Sequence, residues 1–323
     1  MKDVKTIGVL TSGGDSPGMN AAIRSVIRTG IVKDFRMMGI RKGFAGLLEG
    51  DVFEMSLRSV SDILHRGGTI LQTARCPEFK TKKGVERAVE IAKVFGLDSI
   101  VVCGGDGSFR GALDLSEAGL PAIGVPCTID NDIGCSEYTI GFDTALNTVK
   151  DAIDKIRDTA HSHERCSVVE VMGRNAGYIA LQVGISCGAE VVLIPENEYS
   201  FEEDVLKPIL EGKSRGKKNN TIIVAEGVGG SLPMAEKIEK ITGIETRATI
   251  LGYIQRGGSP TVKDRLAASR MGAMAVDLLG EGKGGRIIGM TGDKLVDFDI
   301  KEGLAMKKEM DPDLVRLARI LSM

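Results

Sequence analysis

The chain has 323 residues, 42% of them apolar and 27% charged, with 42 basic against 44 acidic side chains and a pI near 6.1. That length asks for one large or two medium domains, and the apolar fraction suffices for real cores. Near-balanced charge, the lack of tryptophan and an aromatic content of 4% leave neither a basic field nor a stacking surface for nucleic acid.

The opening MKDVKTIGVLTSGGD runs straight into a strand-like segment without the apolar core of a signal peptide. No stretch approaches the ~18 consecutive apolar residues of a membrane span. The expected location is therefore cytoplasmic, with no membrane partner. Cys76, Cys103, Cys127, Cys135, Cys166 and Cys187 form no CxxC pair, and several sit in apolar runs. They read as reduced thiols, not as disulfides or a zinc site.

In chain order, KTIGVL (5–10) reads as a buried strand, followed by a glycine-rich turn and a helix over Met19 to Ile31. SIVVCGG (99–105) is a second strand leading into a helix from Gly107 to Glu117, and PAIGVP (121–126) a third strand. Phe142, Leu146, Val149, Ile153 and Ile156 recur at three- and four-residue steps, which predicts a helix over 142–160. SVVEVMG (167–173), EVVLIP (190–195), TIIVAEG (221–227) and ATILG (248–252) repeat the strand pattern, each with a helix to follow. Such alternation predicts an α/β fold with mainly parallel sheets covered by helices on both faces. Ligands of these sheets bind beyond the carboxyl ends of the strands, where the polar clusters are expected to lie. GVLTSGGDSPGMNAAI and VVEVMGRNAGYIALQ share a strand, a glycine loop and a small-residue helix start, a weak internal duplication that points to two similar lobes.

TSGGDSPGMNAAIR (11–24) puts Gly13, Gly14 and Gly18 between strand and helix, either as a tight turn or as a cradle offering helix N–H groups to an anion. VVCGGDGSFRGA (101–112) repeats the device around Asp106 and misses the dinucleotide spacing G-x-G-x-x-G by one residue. Arg75, Arg165, Arg174, Arg247 and Arg256 fall in strand-following or glycine-flanked segments, a set suited to phosphorylated ligands. PCTIDND (126–132) carries Asp130 and Asp132 two residues apart, on one side of an extended segment. Two adjacent anions need a metal, a proton or an arginine, unless the stretch is only an Asx-rich turn. Phosphoryl transfer would use all of these parts. Asp130 would be the base and Asp106 with Asp132 would hold Mg²⁺, which binds few carboxylates and bridges to phosphates. Arg174 and Arg75 would stabilise charge on the moving group.

The ordered set TSGGDSPGMNAAIR, RGGTILQTARCPEF, GGDGS, TIDNDI, YTIGFDTA, VEVMGR, ETRAT and IQRGGSP resembles the phosphofructokinase family in its ATP-dependent bacterial branch, from about residue 5 to about 290. The resemblance implies two facing three-layer α/β lobes, 1–141 plus 255–305 for the nucleotide and 142–254 plus 306–323 for the sugar phosphate. It implies transfer from MgATP to fructose 6-phosphate in a homotetramer under effector control. Asp130 aligns with the family's proton acceptor, and Thr128, Arg174, Asp132 and Gly14 join it as catalytic. Gly14, Arg75, Cys76, Gly105, Asp106, Gly107 and Ser108 align with nucleotide contacts. Thr128, Ile129, Asp130, Met172, Gly173, Arg174, Glu226, Tyr253 and Arg256 align with sugar-phosphate contacts. Arg165 and Arg247 align with arginines that reach in from a neighbouring subunit.

Two departures bear on this. Pyrophosphate-using relatives carry GGDD and a lysine before TIDND; here Gly107 leaves room for an α-phosphate, and Cys127 adds no cation. Tyr253 stands where the family's histidine usually does, so donation to phosphate is kept while the charge is lost. For an effector such as ADP or phosphoenolpyruvate, Arg24 and Arg28 lie four apart on one helical face. The resemblance adds Arg157, Gly188, Glu190, Arg215, Lys217, Lys218 and Asn219, although KSRGKKNN read alone is a solvated basic loop. Leu57 takes the place of one effector arginine, with Arg58 a step later. Lipid and NAD kinases share a GGDG-type loop but explain neither TIDND nor the arginines. A silent nucleotide-binding regulator would be expected to lack some of Asp106, Asp130 and Asp132.

Overall fold

The computed structural model describes residues 5–322. Its elements run β1 (Thr6–Thr11), α1 (Met19–Val32), β2 (Arg36–Ile40), α2 (Gly43–Glu49), β3 (Val52–Glu54), α3 (Lys82–Val94), β4 (Ser99–Gly104), α4 (Asp106–Glu117), β5 (Ala122–Pro126) and α5 (Phe142–His163). There follow β6 (Cys166–Val171), α6 (Tyr178–Cys187), β7 (Val191–Leu193), α7 (Lys207–Ser214), β8 (Asn220–Ala225), α8 (Ser231–Thr242) and β9 (Thr246–Ile250). The chain closes with α9 (Val262–Gly280), β10 (Arg286–Thr291), β11 (Lys294–Asp299), α10 (Ile300–Ala305) and α11 (Pro312–Leu321). It divides into two compact units, one of residues 1–129, 133–144 and 256–308, the other of 130–132, 145–255 and 309–323.

The first unit holds a sheet of order β11-β10-β5-β4-β1-β2-β3, parallel except for the edge strands β3 and β11. β1 and β4 are buried along their whole length, which is why both read as unbroken apolar runs. Helices α1 and α9 pack against each other on one face. On the other, α2, α3, α4 and α10 bury Leu10, Ile40, Ile100, Val102, Phe109 and Leu115 in one cluster. The chain leaves β1 toward β2 and β3, then returns to β4 on the opposite side of β1. Such a reversal opens a ligand crevice beyond the strand ends, here those of β1 and β4.

The second unit has an all-parallel sheet of order β7-β8-β6-β9. Its reversal falls at β6, between β8 and β9. Val168, Val191, Leu193, Ile209, Ile222 and Ile238 join in its core. No helix among the described residues is long and apolar enough to cross a membrane.

Candidate active site

In the first unit the loops after β1 and β4 are drawn together. Ser12 N–H donates to the Cys103 carbonyl at 3.0 Å. A Cβ on Gly104 would lie 2.5 Å from the Ser12 carbonyl oxygen, so only glycine lets the two backbones come this close. The α4 N-terminus therefore opens beside the β1 loop, with its N–H groups available to an anion. Nothing lies within 4 Å of a Cβ placed on Gly107, so the space beside it is open. Ser108 is buried, and Asp106 is exposed and paired with Arg110 Nε at 3.1 Å.

The strand of chain bearing Arg75 and Cys76 is pinned to the same place. Thr11 Oγ1 donates to the Gln72 carbonyl and Thr73 Oγ1 to that of Gly13, both at 2.8 Å. Both threonines lie inside the motif segments TSGGDSPGMNAAIR and RGGTILQTARCPEF, but residue type there gives no sign of these partners. Arg256 reaches the β1 loop too, since a Cβ on Gly14 would meet its Nη1 at 2.7 Å. Thr128 lies beside Gly105, its Cβ 3.7 Å from where a Cβ of that residue would be. The structure thus gathers Gly14, Gly105, Asp106, Gly107, Ser108, Thr128 and Arg256, with Arg75 and Cys76 leading away from the same loop. Cys127 is buried against Cys103, and burial pushes its thiol well up, so the neutral side chain expected there is what this setting favours.

In the second unit Asp130 is buried, and its Oδ2 lies 3.5 Å from Arg174 Nε, whose side chain is 62% exposed. Arg174 follows β6 in the left-handed region, at φ 53°. Gly173 has φ 142°, and a Cβ there would sit 2.3 Å from the Ala176 carbonyl. Glu226, just past β8, holds this turn by accepting from the N–H of Gly173 at 3.2 Å and of Arg174 at 2.6 Å. Gln255 Oε1 accepts from Met172 N–H at 3.0 Å. Met172, Gly173, Arg174 and Glu226 therefore converge with Asp130 at the sheet reversal. Asp132 is exposed; burial first, then Glu196 and Asp132, push the Tyr178 phenol up to about 12. Tyr253 is also exposed.

Two residues correct the expectation that the polar clusters lie at carboxyl ends. Arg165 immediately precedes β6, and Arg247 is the second residue of β9, so both lie at the amino ends of their strands. Arg165 and Arg247 bind opposite oxygens of Glu245, at 2.7 and 2.6 Å, and with Arg165 first they hold its carboxyl below the usual range. The reason is sheet polarity: a residue before a parallel strand emerges a strand length, here ~20 Å, from one after it.

The effector-type residues of the second unit also cluster. Arg157 donates to the Cys187 carbonyl, just before Gly188, and buried Glu190 binds Lys217 and the Thr221 N–H. Lys218 pairs with Glu164 at 2.7 Å, and Asn219 bonds His161 at 2.9 Å. Glu190 and Arg215 line a cavity of about 340 Å³. Arg24 and Arg28 belong to α1, where the buried Arg28 Nε has no hydrogen-bond partner among the described residues. The structure puts exposed Leu57 at the head of a single 3₁₀ turn.

No group of three or more His, Cys, Asp or Glu side chains converges as a metal cage among the described residues. Magnesium carried in by a nucleotide needs only one or two carboxylates, and Asp106 in the first unit and Asp132 in the second are each exposed.

A family model described as phosphofructokinase matches residues 6–279. The chain belongs to the phosphofructokinase family. It is 58% identical over 319 residues to an ATP-dependent 6-phosphofructokinase of Clostridium novyi, covering 99% of this chain and 100% of that one. A Clostridium botulinum ATP-dependent 6-phosphofructokinase is 57% identical over the same shares. Among solved structures, a Saccharomyces cerevisiae phosphofructokinase superposes with a TM-score of 0.88 at 34% identity over 98% of this chain and 48% of that chain, so this chain spans about half of the yeast one. A pyrophosphate-dependent phosphofructokinase of Marinobacter aquaeolei shares the fold, with a TM-score of 0.84 at 22% identity over 98% of this chain and 91% of that one. The α/β architecture expected from the phosphofructokinase resemblance is the one observed.

Proposed function

We infer that the chain phosphorylates fructose 6-phosphate with ATP, yielding fructose 1,6-bisphosphate, a step of glycolysis. The observation that carries this is the buried Asp130 carboxylate against the Arg174 guanidinium, in a chain more than half identical to ATP-dependent 6-phosphofructokinases. Asp130 takes the proton of the sugar hydroxyl as that oxygen attacks the γ-phosphorus, and ADP leaves. Thr128, in the catalytic set, and Ile129 contact the sugar phosphate together with Asp130. Arg174 and Gly14 meet the charge on the transferring group, Arg174 through its guanidinium and Gly14 through its backbone. The α4 N-terminus, Arg75 and Cys76 hold the nucleotide. Met172, Gly173, Glu226, Tyr253 and Arg256 hold the sugar phosphate. Magnesium bound with ATP, on Asp106 and Asp132, would neutralise phosphate charge.

Residues 1–141 with 255–305 would serve the nucleotide, and 142–254 with 306–323 the sugar phosphate. The amino-end position of Arg165 and Arg247 supports their serving a neighbouring subunit, and hence a homotetramer. Arg24, Arg28, Arg157, Gly188, Glu190, Arg215, Lys217, Lys218 and Asn219 would bind a phosphorylated effector such as ADP or phosphoenolpyruvate. Cytoplasmic location belongs to the same reading.

A coupled assay with fructose 6-phosphate and either ATP or pyrophosphate tests the reading. Turnover with ATP and none with pyrophosphate is expected; the reverse would overturn the choice of donor, and neither would overturn the activity.

A further inference from the structure

Asp264, in the first turn of α9, lies outside every residue set described above. Its carboxylate is fully buried and accepts four hydrogen bonds. Oδ1 takes the Tyr138 hydroxyl at 2.5 Å and the Gly141 N–H at 2.7 Å. Oδ2 takes the Thr144 N–H at 2.8 Å and its hydroxyl at 2.5 Å. The two backbone N–H groups can only donate, so each oxygen accepts at least one hydrogen bond. Burial raises this carboxyl above its ordinary range, and the bonds to Thr144, Tyr138 and Gly141 act against that rise. Among the described residues it has no salt-bridge partner; it lies instead at the start of α5, where it takes the Thr144 N–H of the helix's first turn.

What this anchor holds is the segment 138–141, and that segment touches two loops of the site. Ile140 N–H donates to the Pro126 carbonyl at 2.9 Å, and Thr139 Oγ1 donates to the Thr128 carbonyl at 2.6 Å. Cys127 and Ile140 form an isolated parallel bridge. Ser16, in the glycine loop after β1, donates its hydroxyl to the Ile140 carbonyl at 3.1 Å. A third connection is covalent, because Asp264 follows the Arg256 loop, and Thr261 N–H donates to Thr144 Oγ1 at 3.0 Å. An α5 helix needs only an ordinary cap, for which serine or asparagine at the chain's own N-cap position would serve. A buried anion from a helix more than a hundred residues away is a far costlier device.

We propose that Asp264 is a positioning residue for phosphoryl transfer: by clamping residues 138–144 it fixes the segment against which 126–128 is laid, and so the position of the base two residues further on. The inference rests on Asp130 being that base. Catalytic groups displaced by a fraction of an ångström lose rate while ligand contacts made elsewhere persist. Of the sugar-phosphate contacts, Thr128, Ile129 and Asp130 lie in the clamped loop, while those on Met172, Gly173, Arg174 and Glu226 belong to other elements and would keep most of the binding.

The test is steady-state kinetics on Asp264→Asn, which keeps the shape but turns one acceptor into a donor. Tyr138→Phe and Thr144→Val each remove one donor, and Thr144→Ser is the conservative control. Assays are run well below each variant's melting temperature and normalised to folded protein. We expect kcat of Asp264→Asn to fall roughly tenfold or more, with KM for fructose 6-phosphate held within about twofold. Tyr138→Phe and Thr144→Val should fall in the same direction by less, and Thr144→Ser should restore the wild-type kcat. Lowered melting temperatures with kcat unchanged in the folded variants would reduce Asp264 to a structural anchor and overturn the proposal. Should Asp264→Asn fail to fold, the two donor variants decide by the same criterion. An inactive wild type would instead overturn the functional reading.

Discussion

Arg174 Nε lies 3.5 Å from Asp130 Oδ2, with the arginine side chain 62% exposed and the aspartate 6%. A mostly solvated cation beside a buried anion contributes little to folding. It is well placed to turn toward a more highly charged partner. Arg174→Ala should therefore melt close to wild type, while kcat falls roughly 10²-fold, the usual effect of losing one transition-state donor. Thermal denaturation beside turnover checks this; equal kcat would remove Arg174 from the chemistry.

Gly107 faces open space, with nothing within 4 Å of its Cβ position. Gly107→Asp should fold normally, because an acid in the first turn of α4 suits the helix dipole and glycine is a poor helix former. Its cost should fall on the nucleotide, with the ATP KM rising at least roughly tenfold from like-charge repulsion, each factor of ten being ~1.4 kcal/mol. Unchanged ATP kinetics would place the α-phosphate elsewhere.

Cys76 is the one described cysteine that is not buried. At neutral pH an alkylating reagent should label it first, and ATP should slow that labelling if Cys76 touches the nucleotide. Cys127 and Cys166, whose thiols are raised by burial, Cys166 to about 12, should stay unmodified in the native state. Peptide mapping after brief labelling reads this directly; labelling indifferent to ATP would remove Cys76 from the nucleotide contacts.

Glu245 bridges Arg165 and Arg247 and has a lowered carboxyl pKa in the folded protein. Its contribution to stability is therefore present above the unfolded value and lost as pH falls through the lower folded one. Wild type should out-melt Glu245→Gln slightly at neutral pH and match it well below the ~4.3 of an unfolded glutamate. A gap that persists in acid would point to a cause other than this ion pair.

Much of this architecture was legible because parallel strands buried on both faces leave short apolar runs, and glycine loops mark their carboxyl ends. β4, β5 and β7 fall inside segments expected as strands, β1, β6 and β8 each overrun theirs by one residue, and α5 runs three residues past its expected end. The stretch from β2 to β3 was not anticipated. Its strands are five and three residues long, and α2 is a seven-residue helix with no regular apolar stripe. The β10–β11 hairpin escaped for a related reason, since β11 is a half-exposed edge strand carrying Lys294, Asp297 and Asp299. At the site, motif residues were visible but their supports were not. Thr11, Thr73 and Gln255 lie inside motif segments, but they act through bonds to backbone distant in sequence. Asp264 acts through bonds to backbone and hydroxyl groups of 138–144, and no spacing pattern reveals such partners. Arg165 and Arg247 differ again: residue type alone does not tell which end of a strand a residue occupies, and both lie at amino ends.

The account stands on Asp130 as the proton acceptor, and the most direct measurement is the kcat of Asp130→Asn with ATP and fructose 6-phosphate. The side chain keeps its size, so the fold and substrate KM values should be little changed. Loss of the base should lower kcat by roughly 10²–10⁴-fold. Turnover at the wild-type rate by a correctly folded Asp130→Asn enzyme would contradict the mechanism outright.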